Sequence, residues 1–418
     1  MSVTQSESHW RHVPVRLDVD RWATRRTRRR VLVVVHTVIA GERLLDAIHL
    51  LEGDVRVQII FTQAPDVFSN GVGEFLEKLS GLVLPWGQAV ETHFDLALAA
   101  SHGSLHELHA PVIVLPHGAG HNKITPADRN GVTAAQRGVY GLSRQRLVRD
   151  GAVVPEAIVL AHHEELTRLG RECPEAVPAA EVVGDPCYDR IAASLGFRAL
   201  YRDALGTRAG QRLVLVCSTW GPDSLLGRGW DILERLVGEL PRDEFRIAAL
   251  LHPHVWNAHG RWQVRAWLAG LARSGLILVS PHGDWAGAVV AADYVVGDHG
   301  SVSLYGAMTG VPVLMAGQPD ADVDPGSPLA ELMSFAPRLY GDRPMLPQLK
   351  RSSGTSRSRR YERVAARISS EPGRFAHKMR ALLYRKLHLR PPAARTTIQP
   401  ARLPLTVRYD EPGSVTVL

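Results

Sequence analysis

The sequence alternates short apolar runs with segments of helical spacing, and it does so in two series. Each run has the length of a buried strand and is rich in valine, isoleucine and leucine. Strands that alternate with helices form a parallel sheet with helices on both faces. The runs are 31–35, 55–62, 81–84, 94–99, 111–115, 157–160 and 180–186 in the first series, and 212–217, 245–251, 276–279, 294–296 and 311–315 in the second.

Two such series predict an α/β protein with two doubly wound, Rossmann-like domains. A chain of 418 residues can hold both domains and further segments. We predict a basic polar arm over 1–30, an N-terminal domain over 31–185 and a C-terminal domain over 186–340, with the crossing at 186–210. The remaining residues, 341–418, are predicted to form a basic extension, partly helical and partly extended.

The formal net charge of +7 is concentrated in two flanks. Six arginines lie between residues 21 and 30, and residues 341–390 hold fourteen Lys and Arg against three Asp and Glu, so the rest of the chain is acidic. Basic flanks can face solvent, an anionic membrane surface or nucleic acid. No nucleic-acid-binding motif accompanies them, so nucleic acid is the weaker expectation.

Cysteine usage and the N-terminus predict the compartment. Cys173, Cys187 and Cys217 are few, odd in number and far apart, which indicates a reducing compartment and excludes a CxxC metal site. The first residues lack a signal-peptide pattern, and no apolar run reaches the roughly 18 residues that span a bilayer. We therefore predict a cytoplasmic protein, peripheral at the inner membrane face if the basic flanks bind lipid.

A glycine-flanked turn at 297–301 lies between a predicted strand and a predicted helix. Ser301 is expected to cap that helix, and Gly310 to end it. Such a helix start presents unpaired backbone N–H groups, to which His299, Ser301 and Ser303 add side-chain donors. The turn predicts a phosphate site, with an ordinary capped strand-to-helix turn as the alternative.

Polar loops follow other strands at the end where open α/β sheets hold ligands. In the loop at 117–123 an exposed histidine can accept a proton, and a lysine can neutralise a phosphate. A surface loop with incidental histidines is the alternative. The candidates on this side are His36, His117, Gly118, Gly120, His121 and Lys123, and those of the second series are Ser218, Thr219, His252, His254, Asp298, His299, Gly300, Ser301 and Ser303.

Five segments resemble, in order, motifs of the CDP-glycerol glycerophosphotransferases, the enzymes of teichoic-acid assembly. The resemblance covers about residues 110–316 and implies the GT-B architecture, in which two doubly wound domains face each other across a cleft. The family motifs are HGTPLK, GxPxxD, LYAPTWR, LHP and DxLITDYSSI, and the matching segments are 117–123, 182–189, 215–220, 251–254 and 293–302.

The resemblance implies transfer of a glycerol-phosphate-like group from a CDP-activated donor to an acceptor hydroxyl, in the synthesis of a cell-envelope polymer or related glycoconjugate. The resemblance implies that His117 matches the family's general base. It also implies that His252, Ser301 and Ser303 match the residues that bind the donor pyrophosphate. CMP leaves after attack on the distal phosphorus. Neither a bound metal nor another cofactor is implied. This agrees with phosphoryl transfer, which depends on charge neutralisation and an oriented nucleophile.

Departures from the family motifs leave other functions open. Residues 119–122 replace Thr-Pro-Leu, and His299, Gly300 and Ser301 replace Tyr-Ser-Ser. One alternative is a sugar-nucleotide-dependent GT-B glycosyltransferase or 2-epimerase. A second is a non-catalytic or nucleic-acid-associated protein. Both enzyme hypotheses require the turn that holds Ser301 and the loop that holds His117 to face one crevice.

Overall fold

The structure is a computed structural model, and it describes residues 24–125, 137–317, 322–353, 359–393 and 396–409. Residues 1–23 of the predicted basic arm lie outside the described residues. The chain divides into two compact units. Unit 1 comprises Met1–His121, Ala127–Pro186 and Ser370–Thr397, and unit 2 comprises Asn122–Pro126, Cys187–Ser369 and Ile398–Leu418.

Unit 1 contains a seven-stranded, fully parallel sheet in the order β3-β2-β1-β4-β5-β8-β9. Its centre is buried on both faces, which explains the unbroken apolar runs. A small antiparallel hairpin, β6–β7, precedes β8. The strands are β1 Arg29–Val35, β2 Val57–Gln63, β3 Val83–Leu84, β4 Leu96–Ala99, β5 Val112–Val114, β6 Val148–Arg149, β7 Ala152–Val153, β8 Ala157–Leu160 and β9 Ala180–Val182.

The helices of unit 1 pack apolar faces on this sheet. Leu44 on the first helix and Leu169 on the fifth are fully buried. The helices are α1 Val38–Ile48, α2 Val72–Leu79, α3 Trp86–Val90, α4 Arg144–Leu147 and α5 His163–Glu172, and Phe375–Lys386, numbered α17 in chain order, belongs to the same unit. Short 3-10 helices lie at His49–Leu51, Leu105–Glu107 and Pro174–Ala179.

Unit 2 repeats the doubly wound pattern with five parallel strands, in the order β12-β11-β10-β13-β14. The strands are β10 Arg212–Ser218, β11 Phe245–Leu251, β12 Ile277–Leu278, β13 Tyr294–Gly297 and β14 Val313–Met315. The C-terminal stretch covers the edge at β12, where Ser280 and Val407 donate backbone hydrogen bonds to Leu405 and Leu278. Part of the predicted extended tail thus completes this sheet.

The helices of unit 2 lie between and after these strands. The predicted crossing at 186–210 contains two helices and a short 3-10 turn, Leu195–Phe197. The helices are α6 Pro186–Ser194 at the unit boundary, α7 Arg198–Ala204, α8 Leu225–Arg228, α9 Trp230–Glu239, α10 Pro253–His259, α11 Arg261–Arg273, α12 Trp285–Ala291, α13 Ser301–Gly306, α14 Pro328–Phe335, α15 Met345–Ser352 and α16 Arg359–Ala366, and a 3-10 helix, Ala307–Thr309, follows α13.

The basic stretch at 341–390 is not a separate extension, which differs from the sequence prediction. Helix α17 returns to unit 1, where Tyr384 donates a hydrogen bond of 2.8 Å to Asp54. Many basic side chains form ion pairs within their own unit. The pairs are Arg363 and Arg367 with Glu331 in unit 2, and Arg374 and Lys378 with Glu371, Arg385 with Glu181 and Lys386 with Glu156 in unit 1. These contacts give the basic flank a structural role.

No helix in the described parts of the chain combines the length and apolarity needed to cross a membrane.

Candidate functional site

The two sheets place their ligand-accessible ends at equivalent points. In unit 1 the strand order reverses around β1, between β2 and β4, and in unit 2 it reverses around β10, between β11 and β13. Loops diverge at such a switch point and leave a crevice at the carboxyl ends of the strands. Four candidates lie there because each directly follows the last residue of a strand. They are His36 after β1, Thr219 after β10, His252 after β11 and Asp298 after β13.

At the carboxyl end of β4, one loop orients two candidate histidines. The carbonyl oxygen of Ala100 lies 2.9 Å from Nδ1 of His117, and that of Gly103 lies 2.8 Å from Nε2 of His36. A carbonyl can only accept, so each of these nitrogens carries the proton. In the neutral rings the lone pair is therefore on Nε2 of His117 and on Nδ1 of His36. The first of these is the tautomer that a general base requires.

His117 keeps an exposed surface, whereas His36 is fully buried. The surrounding protein desolvates the ring of His117 and thereby lowers its pKa. The Ala100 hydrogen bond opposes this shift in part, and the guanidinium of Arg43 adds a smaller lowering effect. The ring is therefore neutral at pH 7. His36 is a buried, oriented neighbour of this loop, with its pKa lowered by desolvation.

His121 is held by a buried carboxylate that the sequence analysis missed. Glu165 accepts hydrogen bonds of 2.8 Å from both the backbone N–H and Nδ1 of His121, and it also accepts from the backbone of Ala161. Burial alone would raise the pKa of Glu165, but His121 and these donors lower it to about 2. Gly120 makes the approach possible, because its φ is +69° and a Cβ there would lie 2.5 Å from Glu165.

Arg43 and Asp185 also hold the loop at 117–120 in place. Arg43 on α1 is buried, donates to the carbonyl of Gly118 over 3.0 Å and forms an ion pair of 3.5 Å with Asp185. It thereby ties the loop at 117–120 to the segment after β9. An arginine inside the apolar spacing of a helix was the available signal for Arg43. For Glu165 the signal was its place three residues after His162, which caps α5.

Lys123 belongs to unit 2, contrary to the predicted boundary. Residues 122–125 pair with 322–324, through hydrogen bonds of 2.8 Å from Ile124 to Asp322 and 2.9 Å from Asp324 to Asn122. The ammonium group of Lys123 lies 2.6 Å from Nδ1 of His299. Because an ammonium can only donate, His299 accepts here and carries its own proton on Nε2. The pair places a cation beside the predicted phosphate turn.

Asp298 holds the switch point of unit 2 together. Its buried carboxylate accepts backbone hydrogen bonds from Thr219 at 2.9 Å, Leu225 at 2.8 Å and Gly300 at 3.1 Å. Burial raises its pKa, although these donors act in the opposite direction. A carboxylate placed in this way positions the turn, and its negative charge opposes the direct phosphate binding predicted for Asp298.

The helix start after β13 differs from the prediction by one residue. Gly300 is the N-cap of α13 and Ser301 is its first helical residue, because the extended conformation ends at Gly300. The hydroxyl of Ser301 is therefore not needed as the cap. Gly310 follows the 3-10 turn with a φ of 72° and ends the helical segment, as predicted.

Ser303 and Ser218 are turned into the protein. Ser303 is fully buried, and its Oγ lies so close to Gly297 that a side chain at position 297 would collide with it. The hydroxyl of Ser218 donates to the carbonyl of Thr219 and accepts from the backbone N–H of Leu226, both over 2.9 Å. The bonds of Ser218 hold its loop, and the burial of both side chains argues against the phosphate-binding role predicted for them.

The end of β11 brings two histidines beside an exposed tryptophan. His252 caps α10 by accepting at Nδ1 from the backbone N–H of His254 over 3.1 Å, so its Nε2 carries a donor proton. The backbone N–H of His252 also bonds to Ser218, which fixes β11 against β10. The ring of Trp220 packs on that of His254 with centroids 4.7 Å apart. His252 is therefore oriented as a donor.

The structure thus gathers the candidates into two groups, each within one unit. Unit 1 holds His36, His117, Gly118, Gly120 and His121, and unit 2 holds Lys123, Thr219, His252, His254, Asp298, His299, Gly300 and Ser301. That the loops of His117 and Ser301 face one crevice stays a prediction. Within the described ranges, no three or more His, Cys, Asp and Glu side chains form a group that could hold a metal ion.

Comparison with known structures shows the fold. No protein-family model and no curated protein matches the chain. The wall teichoic acid polymerase TagF is similar, with a TM-score of 0.57 and 12% identity over 86% of this chain and 89% of that one. A TagF variant soaked with CDPG gives the same TM-score and identity, with 87% and 90% covered. At such identity the likeness shows the architecture, so this chain has a GT-B-like fold with two Rossmann-like domains.

Anabaena HepE in complex with UDP-glucose is also similar, at 14% identity over 86% of this chain and 99% of that one. Its TM-score is 0.48.

Proposed function

We propose that this chain is a transferase that moves a polyol-phosphate group, of the glycerol-phosphate kind, from a CDP-activated donor to an acceptor hydroxyl. The observation that carries the proposal is the pairing of Lys123 with His299 directly before the start of α13. The GT-B-like fold shared with TagF, and the CDPG with which a TagF variant was soaked, support the donor class. The five ordered sequence motifs support the same class.

The unit-2 group suits the diphosphate of such a donor. The Lys123 ammonium, the Ser301 hydroxyl and the Nε2–H of His252 are all hydrogen-bond donors. The backbone N–H groups of the first turn of α13 add their partial positive charge. Asp298 positions the turn and thereby holds these donors in place. Neutralised phosphates make CMP a better leaving group.

The unit-1 group suits the acceptor. In the proposed step, an acceptor hydroxyl oxygen attacks the distal phosphorus of the CDP-linked donor while its proton passes to Nε2 of His117. The new P–O bond forms as the bond between that phosphorus and the bridging oxygen breaks, and CMP leaves with the bridging oxygen. The Ala100 carbonyl stabilises the imidazolium through Nδ1–H. The step requires both groups to meet on one donor molecule.

The test is CMP release from CDP-glycerol and CDP-ribitol with a panel of hydroxyl acceptors. Wild type is expected to release CMP and transfer the polyol phosphate. His117→Gln is expected to lose this turnover, while His106→Gln, an exposed histidine in unit 1, retains it. Absence of turnover with every CDP-linked donor would remove the donor assignment.

A thermal-shift series with CDP, UDP, GDP and ADP separates the sugar-nucleotide alternative. Stabilisation grows as RT ln(1 + [L]/Kd), about 2.7 kcal/mol at a hundredfold excess over Kd. A preference for CDP supports the proposal. A preference for UDP, GDP or ADP would favour a glycosyltransferase or 2-epimerase on the same fold. Absence of stabilisation by all four, together with salt-sensitive nucleic-acid binding, would favour the non-catalytic alternative.

A further inference from the structure

Unit 1 contains a cavity of about 530 Å³ at the carboxyl ends of β2 and β3. Its wall combines one aromatic ring with three hydrogen-bonding side chains of different kinds: a carboxylate, an amide and a hydroxyl. These residues are Trp86, Asp66, Gln63 and Ser69. The site described above uses none of them.

The cavity borders the loop that orients the candidate histidines. The backbone N–H of Ala64, in the cavity wall, donates to Val35 over 3.1 Å, directly before His36. On the other side, a Cβ at Gly103 would lie 3.8 Å from the carbonyl oxygen of Pro65, which also lines the cavity. The loop of Gly103 is the one whose Ala100 carbonyl fixes His117. The cavity is therefore adjacent to the proton-accepting group.

The polar side chains of the cavity retain hydrogen-bonding capacity. One oxygen of Asp66 accepts from the backbone N–H of Phe68 over 2.8 Å, which fixes the carboxylate in a tight turn. Among the described residues, the side chains of Gln63, Ser69 and Trp86 make no hydrogen bond to the protein. Together they offer carboxylate and amide acceptors, amide and indole donors, and a hydroxyl that can do either.

This combination matches a polyhydroxylated ring. A carboxylate and an amide can bind neighbouring hydroxyl groups, and an indole face covers the apolar C–H face of a sugar ring. We propose that this cavity binds the acceptor of the reaction through a pyranose ring stacked on Trp86 and hydrogen-bonded by Asp66. That the bound ring is the acceptor of the reaction rests on the proposed function. That the ligand is a pyranose ring rests on the cavity alone. Open-chain polyols share the hydroxyl chemistry but lack the ring face.

The test is saturation-transfer NMR on the full chain, without nucleotide, using methyl β-glucoside, methyl β-N-acetylglucosaminide, ribitol and glycerol as probes. A single ring is expected to bind with a Kd of about millimolar. Trp86→Ala and Asp66→Asn are expected to weaken glycoside binding at least about tenfold. Asp66→Asn is the milder variant, because the asparagine side chain can still accept the hydrogen bond from the backbone N–H of Phe68. Trp86→Phe replaces Trp86→Ala if the alanine variant does not fold.

Matched controls are Trp262→Ala and Asp150→Asn, both highly exposed and outside the cavity. These two variants are expected to bind the probes as wild type does. Binding of ribitol alone, lost in Trp86→Ala, would keep the cavity and identify the acceptor as an open-chain polyol.

The inference is overturned if no probe binds wild type, if binding survives both cavity variants, or if CDP displaces the glycoside from the cavity. Nucleotide binding is measured separately, in the thermal-shift series. The donor assignment can therefore be wrong while the cavity still binds glycosides. Equally, the protein can bind CDP while the cavity binds no glycoside.

Discussion

The carboxyl ends of the two sheets are built on the same strand order, yet they carry opposite chemistry. At the switch point of unit 1, backbone carbonyls of the loop after β4 accept from His36 and His117 and leave imidazole lone pairs available. At that of unit 2, the Asp298 carboxylate accepts from backbone N–H groups, and Lys123 supplies a cation. The topology decides where residues meet, and the polar groups at that point decide whether the loop offers hydrogen-bond acceptors or donors.

The largest expected difference between the two ends concerns the chemical step. His117→Gln is expected to reduce transfer about 10²- to 10⁴-fold, the usual contribution of a positioned base, while CDP binding remains unchanged. Because the pKa of His117 is lowered from 6.5, the acid limb of kcat/KM should fall below that pH. A pH profile of CMP release measures it. An activity loss accompanied by equally weaker nucleotide binding would contradict the division between the ends.

The buried carboxylates of the two ends should differ in stability. Glu165→Gln is expected to cost about 3–5 kcal/mol, since it breaks a buried pair, and Asp298→Asn about 1–2 kcal/mol, since burial already opposes that charge. Urea unfolding measures both. Equal losses of unfolding free energy, or a larger loss for Asp298→Asn, would show that the charge of Glu165 does not stabilise its unit more than the charge of Asp298 does.

The same carboxylates predict an opposite response to acid. The pKa of Glu165 is lowered from 4.5 to about 2, so the stability it gives unit 1 is complete above pH 4.5 and is lost as the pH falls towards 2. The pKa of Asp298 is raised, so its protonation does not weaken unit 2 in this way. Hydrogen exchange resolved by peptide should show unit 1 opening first. Earlier opening of unit 2 would contradict the assignment.

Two glycines provide a smaller, matched comparison. Gly120→Ala should cost about 2 kcal/mol, because φ is positive and Glu165 leaves no room for a Cβ. Gly300→Ala should cost less than about 1 kcal/mol, since φ is −86° and the nearest atom would lie 3.3 Å away. Thermal unfolding of the two variants measures the difference. The reverse order would mean that the turn of unit 2 is the more constrained one.

Two serines of α13 give the smallest effects. Ser301→Ala is expected to weaken CDP binding about threefold to tenfold by removing one neutral donor. Ser303→Ala should leave CDP binding unchanged, since its hydroxyl is buried against Gly297. A titration of both variants with CDP decides between them. Weaker binding in Ser303→Ala would restore the predicted donor role.

The strands of both sheets could be predicted from the sequence, because a parallel strand buried on both faces consists of a continuous apolar run. Strand β11, Phe245–Leu251, has the predicted bounds, and the polar residues after β1, β10 and β13 lie where the strand ends indicated. The position of the switch points follows from strand order, which the runs alone do not specify.

Two features that the sequence did not reveal depend on contacts between residues distant in sequence. The pairing of 122–125 with 322–324 placed Lys123 in unit 2, and no local pattern records that pairing. The partnership of His121 with Glu165 spans 44 residues. Ser303 looked like a donor because its residue type suits phosphate, whereas helical phase turned it towards Gly297. Residue type and local spacing predict which side chains can bind a ligand. The packed structure decides which of them remain accessible to one.

The most direct test of the account is a calorimetric titration of CDP into wild type, Lys123→Met and His117→Gln. The account predicts binding to wild type, at least about tenfold weaker binding to Lys123→Met through loss of a charge-assisted hydrogen bond, and unchanged binding to His117→Gln. Absence of CDP binding to wild type, or an equal loss in His117→Gln and Lys123→Met, would contradict the claim that unit 2 holds the donor and unit 1 holds the base.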